Sequence, residues 1–181
     1  FRDQGIIMPN PGSVQIERSL DPEKIGKGSV LHPFSRIEGQ GSFIGEGSEI
    51  GIAGPVSVFN SFVGRESRVG TLGPVTLKET FTGPNTVLGC GTSEETVFLG
   101  KETTVNDFTT GYGFRTRKGT LYEEDASSAQ HTDTKMTILL PWVTLGSNIN
   151  FCDALVSGGT GPELGAFSEI GSGSIHFNFT P

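Results

Sequence analysis

The chain is poor in cysteine: its 181 residues include only two, Cys90 and Cys152. They lie far apart in sequence and do not follow a metal-binding spacing. This excludes a framework of several disulfides, and the sparse cysteine favours a reducing compartment such as the cytoplasm. The cysteines give no reason to predict a metal site.

Basic residues are also scarce, with 13 Lys and Arg against 20 Asp and Glu, for a formal net charge of −7. Without a basic stripe to release counterions, the chain is not expected to bind nucleic acid or an anionic membrane as a general partner. It contains no run of 18 apolar residues and opens with no signal-peptide pattern, so no membrane segment is predicted. Binding of a small phosphorylated ligand is compatible with this acidic composition, because such a ligand needs only a few well-placed cations.

What the sequence does have is glycine, 27 residues of it, together with aliphatic residues at a regular spacing. From Ile25 onward an aliphatic or aromatic residue falls at every sixth position, with one-residue slips, and glycine often follows directly. The series reads Ile25, Leu31, Ile37, Phe43; Ile44, Ile50, Val56, Phe62; Val63, Val69, Val75, Phe81, Val87; Leu99, Val105; and Leu139, Leu145, Phe151.

A period of six fits neither an amphipathic helix nor a plain alternating strand. It fits a coil that bends after every short strand, with one side chain per strand pointing to the axis and glycine relieving the bend. A β-sandwich is the alternative, but its strands recur at about 8–12 residues. The sequence therefore predicts an all-β parallel β-helix of hexapeptide repeats over residues 25–181, after a lead-in segment at 1–24. Because the chain starts at Phe1 without Met and ends at Pro181 inside a patterned stretch, we expect a piece of a longer protein.

The six-residue pattern is lost twice, between Gly111 and Lys135 and again between Ser157 and Pro162. We therefore predict loop insertions there, and loops on rigid scaffolds often carry binding groups. Arg115, Arg117 and Lys118 could clamp a diphosphate through bidentate hydrogen bonds. The alternative is a solvated loop whose charges balance the acidic residues 123–125. The glycine-rich second interruption lacks the Lys-Ser/Thr ending of a phosphate-binding loop, which favours a simple turn.

Three histidines, His32, His131 and His176, are candidate general bases. His32 lies beside a proline in an early repeat, and His131 stands two residues from Asp133. His176 falls on a repeat strand near Asn178. The residues alone favour a non-catalytic role for each.

Residues 115–181 resemble the acetyltransferase half of the bacterial bifunctional UDP-N-acetylglucosamine pyrophosphorylase / glucosamine-1-phosphate acetyltransferases, as a divergent branch. Segment 115–119, Arg-Thr-Arg-Lys-Gly, is similar to the family's Arg-x-Arg-Pro-Gly, and an ungapped run carries Lys135 onto a ligand-contacting lysine. Segment 150–154, Asn-Phe-Cys-Asp-Ala, falls on the family's Tyr-Leu-Gly-Asp-Ala. Segment 169–179 is similar to Asn-Ile-Gly-Ala-Gly-Thr-Ile-Thr-Cys-Asn-Tyr. The earlier repeats match only in their general hexapeptide style.

The resemblance implies left-handed coils of three hexapeptides, a homotrimer, and ligand sites in clefts between coils. It implies a phosphorylated or UDP-linked amino sugar as partner and acetyl-coenzyme A as acyl donor. The implied substrate-binding residues are Arg115, Arg117, Lys135, Asn150, Asn178 and Phe179.

The departures from the family pattern concern the chemistry. The family's catalytic histidine falls on Ser147, and a hydroxyl is a poor base near neutral pH. His176 is then the nearest candidate base. Two hypotheses follow: the β-helix portion of a sugar-nucleotide transferase, or a non-catalytic coil that trimerises and regulates a nucleotidyltransferase domain elsewhere in the protein. A plain structural or binding β-helix is a third.

Overall fold

Short parallel strands make up almost all of the regular structure. The computed structural model describes residues 2–100, 104–105, 113–161, 163 and 165–171. Within them lie three 3-10 helices, Arg2–Gln4, Pro11–Ser13 and Pro22–Lys24. The strands are β1 Gln15–Ile16, β2 Val30–Leu31, β3 Arg36–Glu38, β4 Phe43–Ile44, β5 Glu49–Ile50, β6 Val56–Phe59, β7 Phe62–Val63, β8 Arg68–Val69, β9 Val75–Thr82, β10 Val87–Leu88, β11 Gly91–Leu99, β12 Thr104–Val105, β13 Phe114–Thr116, β14 Leu121–Tyr122, β15 Ser127–Ser128, β16 Asp133–Lys135, β17 Ile138–Leu139, β18 Val143–Leu145, β19 Asn150–Cys152, β20 Leu155–Val156 and β21 Ser168–Ile170.

The strands stack in three columns, which form three faces of a solenoid. Face A is β2-β5-β8-β10-β12-β15-β18-β21. Face B is β1-β3-β6, the first halves of β9 and β11, then β13-β16-β19. Face C is β4-β7, the second halves of β9 and β11, then β14-β17-β20. The chain visits the faces in turn, so every neighbouring pair in a column is parallel.

The predicted fold class, an all-β parallel β-helix with a loop insertion, is confirmed as a β-solenoid of about seven turns. The regular turns have equal length, since Glu49 pairs with Arg68 and Arg68 pairs with Val87. Residues 2–24 pack onto the first turn, where Ile7 bridges to Val30 and β1 pairs with β3. Within the described ranges, no helix has the length and apolarity needed to cross a bilayer.

Phe43, Phe62 and Phe81 of the six-residue series do not point to the axis, which corrects one element of the sequence prediction. Ile44 and Val63, the next residues, are fully buried, whereas Phe43 and Phe62 lie half-buried on the outside of face C and Phe81 is 41% exposed. A regular turn is thus built as six, six and seven residues. The seventh residue is the outward phenylalanine, and this extra residue accounts for each apparent slip in the pattern.

Adjacent turns approach each other closely at a glycine column on the corner between faces C and A. A Cβ built on Gly26, Gly45 or Gly64 would lie within 3.0 Å of backbone atoms of the next turn. Real Cβ atoms essentially never make such contacts, so no other residue fits without moving the turns apart.

Buried hydroxyls beside this column tie each turn to the next. The Ser48 hydroxyl donates to the carbonyl oxygen of Gly64 at 2.9 Å and accepts from the backbone N–H of Ser67 at 3.2 Å. The Ser29 hydroxyl donates in the same way to Gly45. These bonds satisfy polar groups that the corner would otherwise bury without partners.

The first predicted loop insertion is wrong for the described residues 113–135. This segment forms β13 to β16 in regular register, with Arg115 opposite Asp133. The six-residue pattern disappears there because the inward side chains are polar or aromatic: Thr116, Tyr122, Ser128 and Thr134 are all buried. The Tyr122 and Thr134 hydroxyls lie 3.4 Å apart, and the Thr132 hydroxyl donates to that of Ser128 at 3.2 Å. The neighbouring Thr120 hydroxyl donates to the carbonyl oxygen of Thr134 at 3.0 Å.

The second interruption is an irregular loop between β20 and β21. Its ends are tied down by bonds from the Gly159 N–H to the Pro141 carbonyl, 2.9 Å, and from the Ser168 N–H to the Trp142 carbonyl, 3.0 Å. The Thr160 N–H donates to the Ala166 carbonyl at 2.6 Å. The described residues of the loop thus lie against the corner that follows β17.

We predict that Gly45→Ala lowers the free energy of unfolding by about 1–3 kcal/mol, because its Cβ would collide with the Gly64–Arg65 backbone. Denaturant unfolding measures the effect. Gly12→Ala is the control, since its Cβ would meet only the Asn10 side chain, at an ordinary 3.7 Å. Equal stabilities for the two variants would contradict the close approach of the turns.

A second prediction concerns Tyr122, whose side chain is fully buried beside Thr134. Burial raises the pKa of Tyr122 above its ordinary value, because the phenolate would lose its hydration. The stability that the neutral Tyr122 side chain contributes is therefore complete below pH about 10. It is lost as the pH rises further, because the phenol then ionises in the unfolded chain and stays protonated in the folded one.

The difference in unfolding free energy between the wild type and Tyr122→Phe isolates this residue. Above pH about 10 the wild type should lose up to about 1.4 kcal/mol per pH unit relative to the variant. Parallel stability curves for the two proteins between pH 8 and 11 would refute the prediction.

Candidate functional site

Charged and amide side chains of three successive turns align on the outside of face B. In the first outward column Arg115 pairs with Asp133, and Asp133 pairs with Asn150. Because Phe114, Thr116 and Thr134 take the inward positions, strand alternation turns these three residues outward. Parallel neighbours lie about 4.8 Å apart, so one small ligand could touch all three turns.

A second outward column contains Arg117, Lys135 and Cys152. Lys135 pairs with Cys152, and the Arg117 N–H donates to the carbonyl of Thr134, which aligns Arg117 with Lys135. Lys135 and Cys152 are exposed. Cations from two turns therefore lie side by side on one face.

Asp133 holds the two arginines in place. The Arg117 Nε lies 2.7 Å from Asp133 Oδ1, and the Arg115 Nη1 lies 4.0 Å from Asp133 Oδ2. The Arg115 side chain is 60% exposed, whereas the Asp133 side chain is only 24% exposed. The carboxylate thus orients Arg117 strongly and leaves the Arg115 guanidinium open to solvent.

These cations border a polar pocket of about 300 Å³. Its lining residues are Glu94, Glu95, Arg115, Arg117, Lys118 and Lys135. Four cations stand against two carboxylates in the lining and a third from the adjacent Asp133, which leaves a formal charge of +1. The pocket would therefore attract an anion although the chain as a whole is acidic. Three carboxylates already balance most of the cationic charge of the pocket.

The corner between faces A and B carries polar groups next to this site. Ser147 follows β18 there, half-buried, and the Asn148 N–H donates to the carbonyl oxygen of Gln130 on the preceding turn. His131 Nδ1 lies 3.0 Å from Asn148 Oδ1. If Nδ1 carries the proton, this bond fixes the tautomer in which Nε2 is the basic nitrogen.

The structure brings together Arg115, Arg117, Lys135 and Asn150 on face B, with Ser147 at the adjoining corner. His176, Asn178 and Phe179 lie outside the described residues. His32 is remote: its Nε2 lies 3.6 Å from Glu49 on face A, near the other end of the solenoid.

Sequence reasoning missed the role of Asp133 and of Glu94. The available signal was the length of the turn, since Asp133 follows Arg115 by three hexapeptide lengths and three hexapeptides make one coil. Glu94 was harder to place, because β11 contains an irregularity after Glu94 that shifts the register. Among the described residues, no group of three or more His, Cys, Asp or Glu side chains is arranged to hold a metal ion.

Comparison with known proteins gives little further information. No family model matches the chain, and no curated protein matches it. Among solved structures, that of UDP-N-acetylglucosamine acyltransferase from Arabidopsis is similar at 12% identity and a TM-score of 0.25. The match covers 79% of this chain and 62% of that one. This chain thus spans less than two thirds of that protein, and the likeness is too low to carry an argument about function.

We predict that Asp133→Asn strengthens the binding of inorganic pyrophosphate, because the formal charge of the pocket rises from +1 to +2. The loss of the partly exposed ion pairs should lower the unfolding free energy by about 1 kcal/mol or less. Calorimetric titration at low and high salt measures the binding. Asp3→Asn is the matched control, since it makes the same charge change at an exposed position at the start of the solenoid. Equal pyrophosphate affinities in the two variants would show that the pocket does not attract anions.

Proposed function

We propose that this chain is the β-helix portion of a sugar-nucleotide transferase and binds a phosphorylated or UDP-linked amino sugar on face B. The observation that carries the proposal is the alignment of Arg115, Arg117 and Lys135 around one pocket, with Asp133 orienting the Arg117 guanidinium. Guanidinium groups recognise phosphate oxygens through paired hydrogen bonds. The resemblance of segment 115–119 to a UDP-sugar-binding segment supports the same ligand class.

The ligand would lie across three turns. In this proposal Arg115, which is largely exposed, and Lys135 contact the phosphate oxygens, and Arg117 stays against Asp133 as a second layer of positive charge. Asn150, one turn further on, presents an amide to the sugar hydroxyls or the N-acyl group. Asn178 and Phe179 would complete the acceptor and donor side.

The proposed reaction is transfer of an acyl group from acyl-coenzyme A to the amine of the bound sugar. A base removes a proton from the amine, which attacks the thioester carbonyl, and the thiol of coenzyme A leaves. His176 is proposed as this base, because Ser147 occupies the position of the family's histidine. Backbone amides or asparagine would stabilise the oxyanion. A homotrimer is included in the proposal, with ligands held in clefts between coils.

The alternative function is a non-catalytic coil that trimerises and regulates a nucleotidyltransferase domain of the full-length protein. Ser147 favours it specifically, since a hydroxyl cannot serve as the base near neutral pH. Under this alternative the pocket on face B is a regulatory ligand site or a solvated, charge-balanced surface.

We predict that Arg115→Ala and Lys135→Ala each weaken UDP-N-acetylglucosamine binding by about 10- to 100-fold, the worth of one charge-assisted hydrogen bond. Calorimetry on the full-length protein measures it. Arg36→Ala is the matched control, because Arg36 occupies the same outward column of face B, four turns earlier. Normal binding by both pocket variants would refute the ligand site.

Turnover separates the two functions in the same experiment. The full-length protein is mixed with glucosamine-1-phosphate and acetyl-coenzyme A, and thiol release is followed. Thiol release that falls in Arg115→Ala but not in Arg36→Ala supports the transferase. Absence of thiol release, with intact UDP-sugar binding, supports the regulatory coil instead.

A further inference from the structure

Trp142, the only tryptophan of the chain, has a backbone conformation that bulky residues rarely adopt. It lies on the corner between faces C and A, directly before β18, and has a φ of 56°. The equivalent residues of other turns also have positive φ and are Gly28, Gly47, Glu66, Asn85 and Asp125. Glycine and short polar residues tolerate this left-handed conformation better than a residue with a large ring. Other turns form the corner without a ring, and backbone strain of this kind is concentrated at ligand sites.

Neighbouring turns hold Trp142 in this conformation. Its N–H donates to the carbonyl oxygen of Glu124 at 3.3 Å, and its carbonyl oxygen accepts from the N–H of Ser168 at 3.0 Å. Phe167 is its neighbour on the next turn, because β18 and β21 pair in register. The glycine-rich loop packs closely against Phe167, since a Cβ on Gly159 would lie 2.5 Å from the Phe167 Cα. Two aromatic residues of successive turns thus lie side by side on this corner.

The two aromatic residues line a pocket of about 430 Å³ on the outside of face A, a size that suits a small molecule. Its other described lining residues are Asp125, Thr144 and Glu169. Asp125 lies one turn before Trp142 on the corner, and Glu169 lies one turn after Thr144 on face A. The described part of the lining therefore combines two aromatic rings, a hydroxyl and two carboxylates, and it contains no cation.

Both carboxylates of this pocket are available to a ligand. Among the described residues, neither the Asp125 nor the Glu169 carboxylate has a hydrogen-bond or ion-pair partner. Two turns and one strand step separate their Cα atoms, a diagonal of roughly 12 Å. The midpoint of this diagonal falls between Trp142 and Thr144 on the intervening turn. A cation at this midpoint lies beside the indole side chain and between two negative charges.

We propose that this pocket binds a small free organic cation with an alkylated ammonium group. Tryptophan attracts such a cation through the negative face of its ring, and the two carboxylates add charge attraction. They repel anions, which excludes the UDP-sugar and coenzyme A ligands proposed above from this pocket. They also repel a choline lipid headgroup, because its phosphate lies only a few bonds from the ammonium. The site is on face A, so it does not depend on the function proposed for face B.

The test is calorimetric titration of the full-length protein with choline at constant ionic strength. We expect choline binding that Trp142→Asn weakens by about 10-fold or more, because the ring is removed. Asparagine suits the positive φ, as Asn85 shows at the equivalent position, and circular dichroism checks that the variant is folded. Glu66→Asn is the matched control, since Glu66 occupies the same corner position four turns earlier and its variant should bind choline normally. Unchanged choline affinity in Trp142→Asn would overturn the proposal.

Charge is tested without changing the aromatic residues. Asp125→Asn and Glu169→Gln should each weaken choline binding by about 3- to 10-fold, and by less at high salt. Dimethylbutanol, the isostere of choline in which carbon replaces nitrogen, should bind about 10-fold more weakly than choline. Phosphocholine, the soluble form of the lipid headgroup, should also bind more weakly than choline. Equal affinity for the uncharged isostere, or tighter binding of phosphocholine, would show that the pocket is not a site for a free organic cation.

Discussion

The close approach of consecutive turns is the constraint on which the rest of the molecule depends. Parallel strands two or three residues long make few hydrogen bonds each, so no single pair would be stable alone. The turns hold together because each turn pairs with the next on the faces of the solenoid, and at Gly26, Gly45 and Gly64 on the corner between faces C and A a Cβ would collide with the next turn. Buried hydroxyls such as that of Ser48 then bond across the same gap. Glycine and serine at this corner thus permit the short distance between consecutive turns, and aliphatic side chains fill the interior of the solenoid.

A fixed pitch decides which distant residues become neighbours. Arg115, Asp133 and Asn150 are separated in sequence by whole turns and lie directly adjacent on face B. The same rule aligns Phe43 and Phe62, one turn apart, into stacked rings on face C. One geometric repeat therefore produces a charged surface on one side and an apolar surface on another. The difference between them comes only from which residues occupy the outward positions.

The site illustrates how far single-sequence reasoning extends. Arg115, Arg117 and Lys118 were identifiable as a basic cluster, and the resemblance added Lys135; the structure brings all four to one pocket. Their setting was predicted wrongly: a projecting loop was expected, whereas residues 113–135 are regular strands. The reason is that Thr116, Ser128 and Thr134 occupy inward positions, which a search for aliphatic residues does not recognise. A buried threonine whose hydroxyl bonds inside the core meets the same packing requirement as a valine of similar shape.

The sequence by itself determined the architecture, because a six-residue spacing of aliphatic residues followed by glycine is compatible with few folds other than a β-helix. It also determined which residue types could bind an anion. The tertiary structure alone decided that Asp133 lies between two arginines and that Phe43, Phe62 and Phe81 face outward rather than inward. Both follow from the length of a turn, which is six, six and seven residues at Phe43 and Phe62 and three times six residues between Arg115 and Asp133. One added residue reverses the side of a strand to which a side chain points, and only the assembled stack reveals where that residue falls.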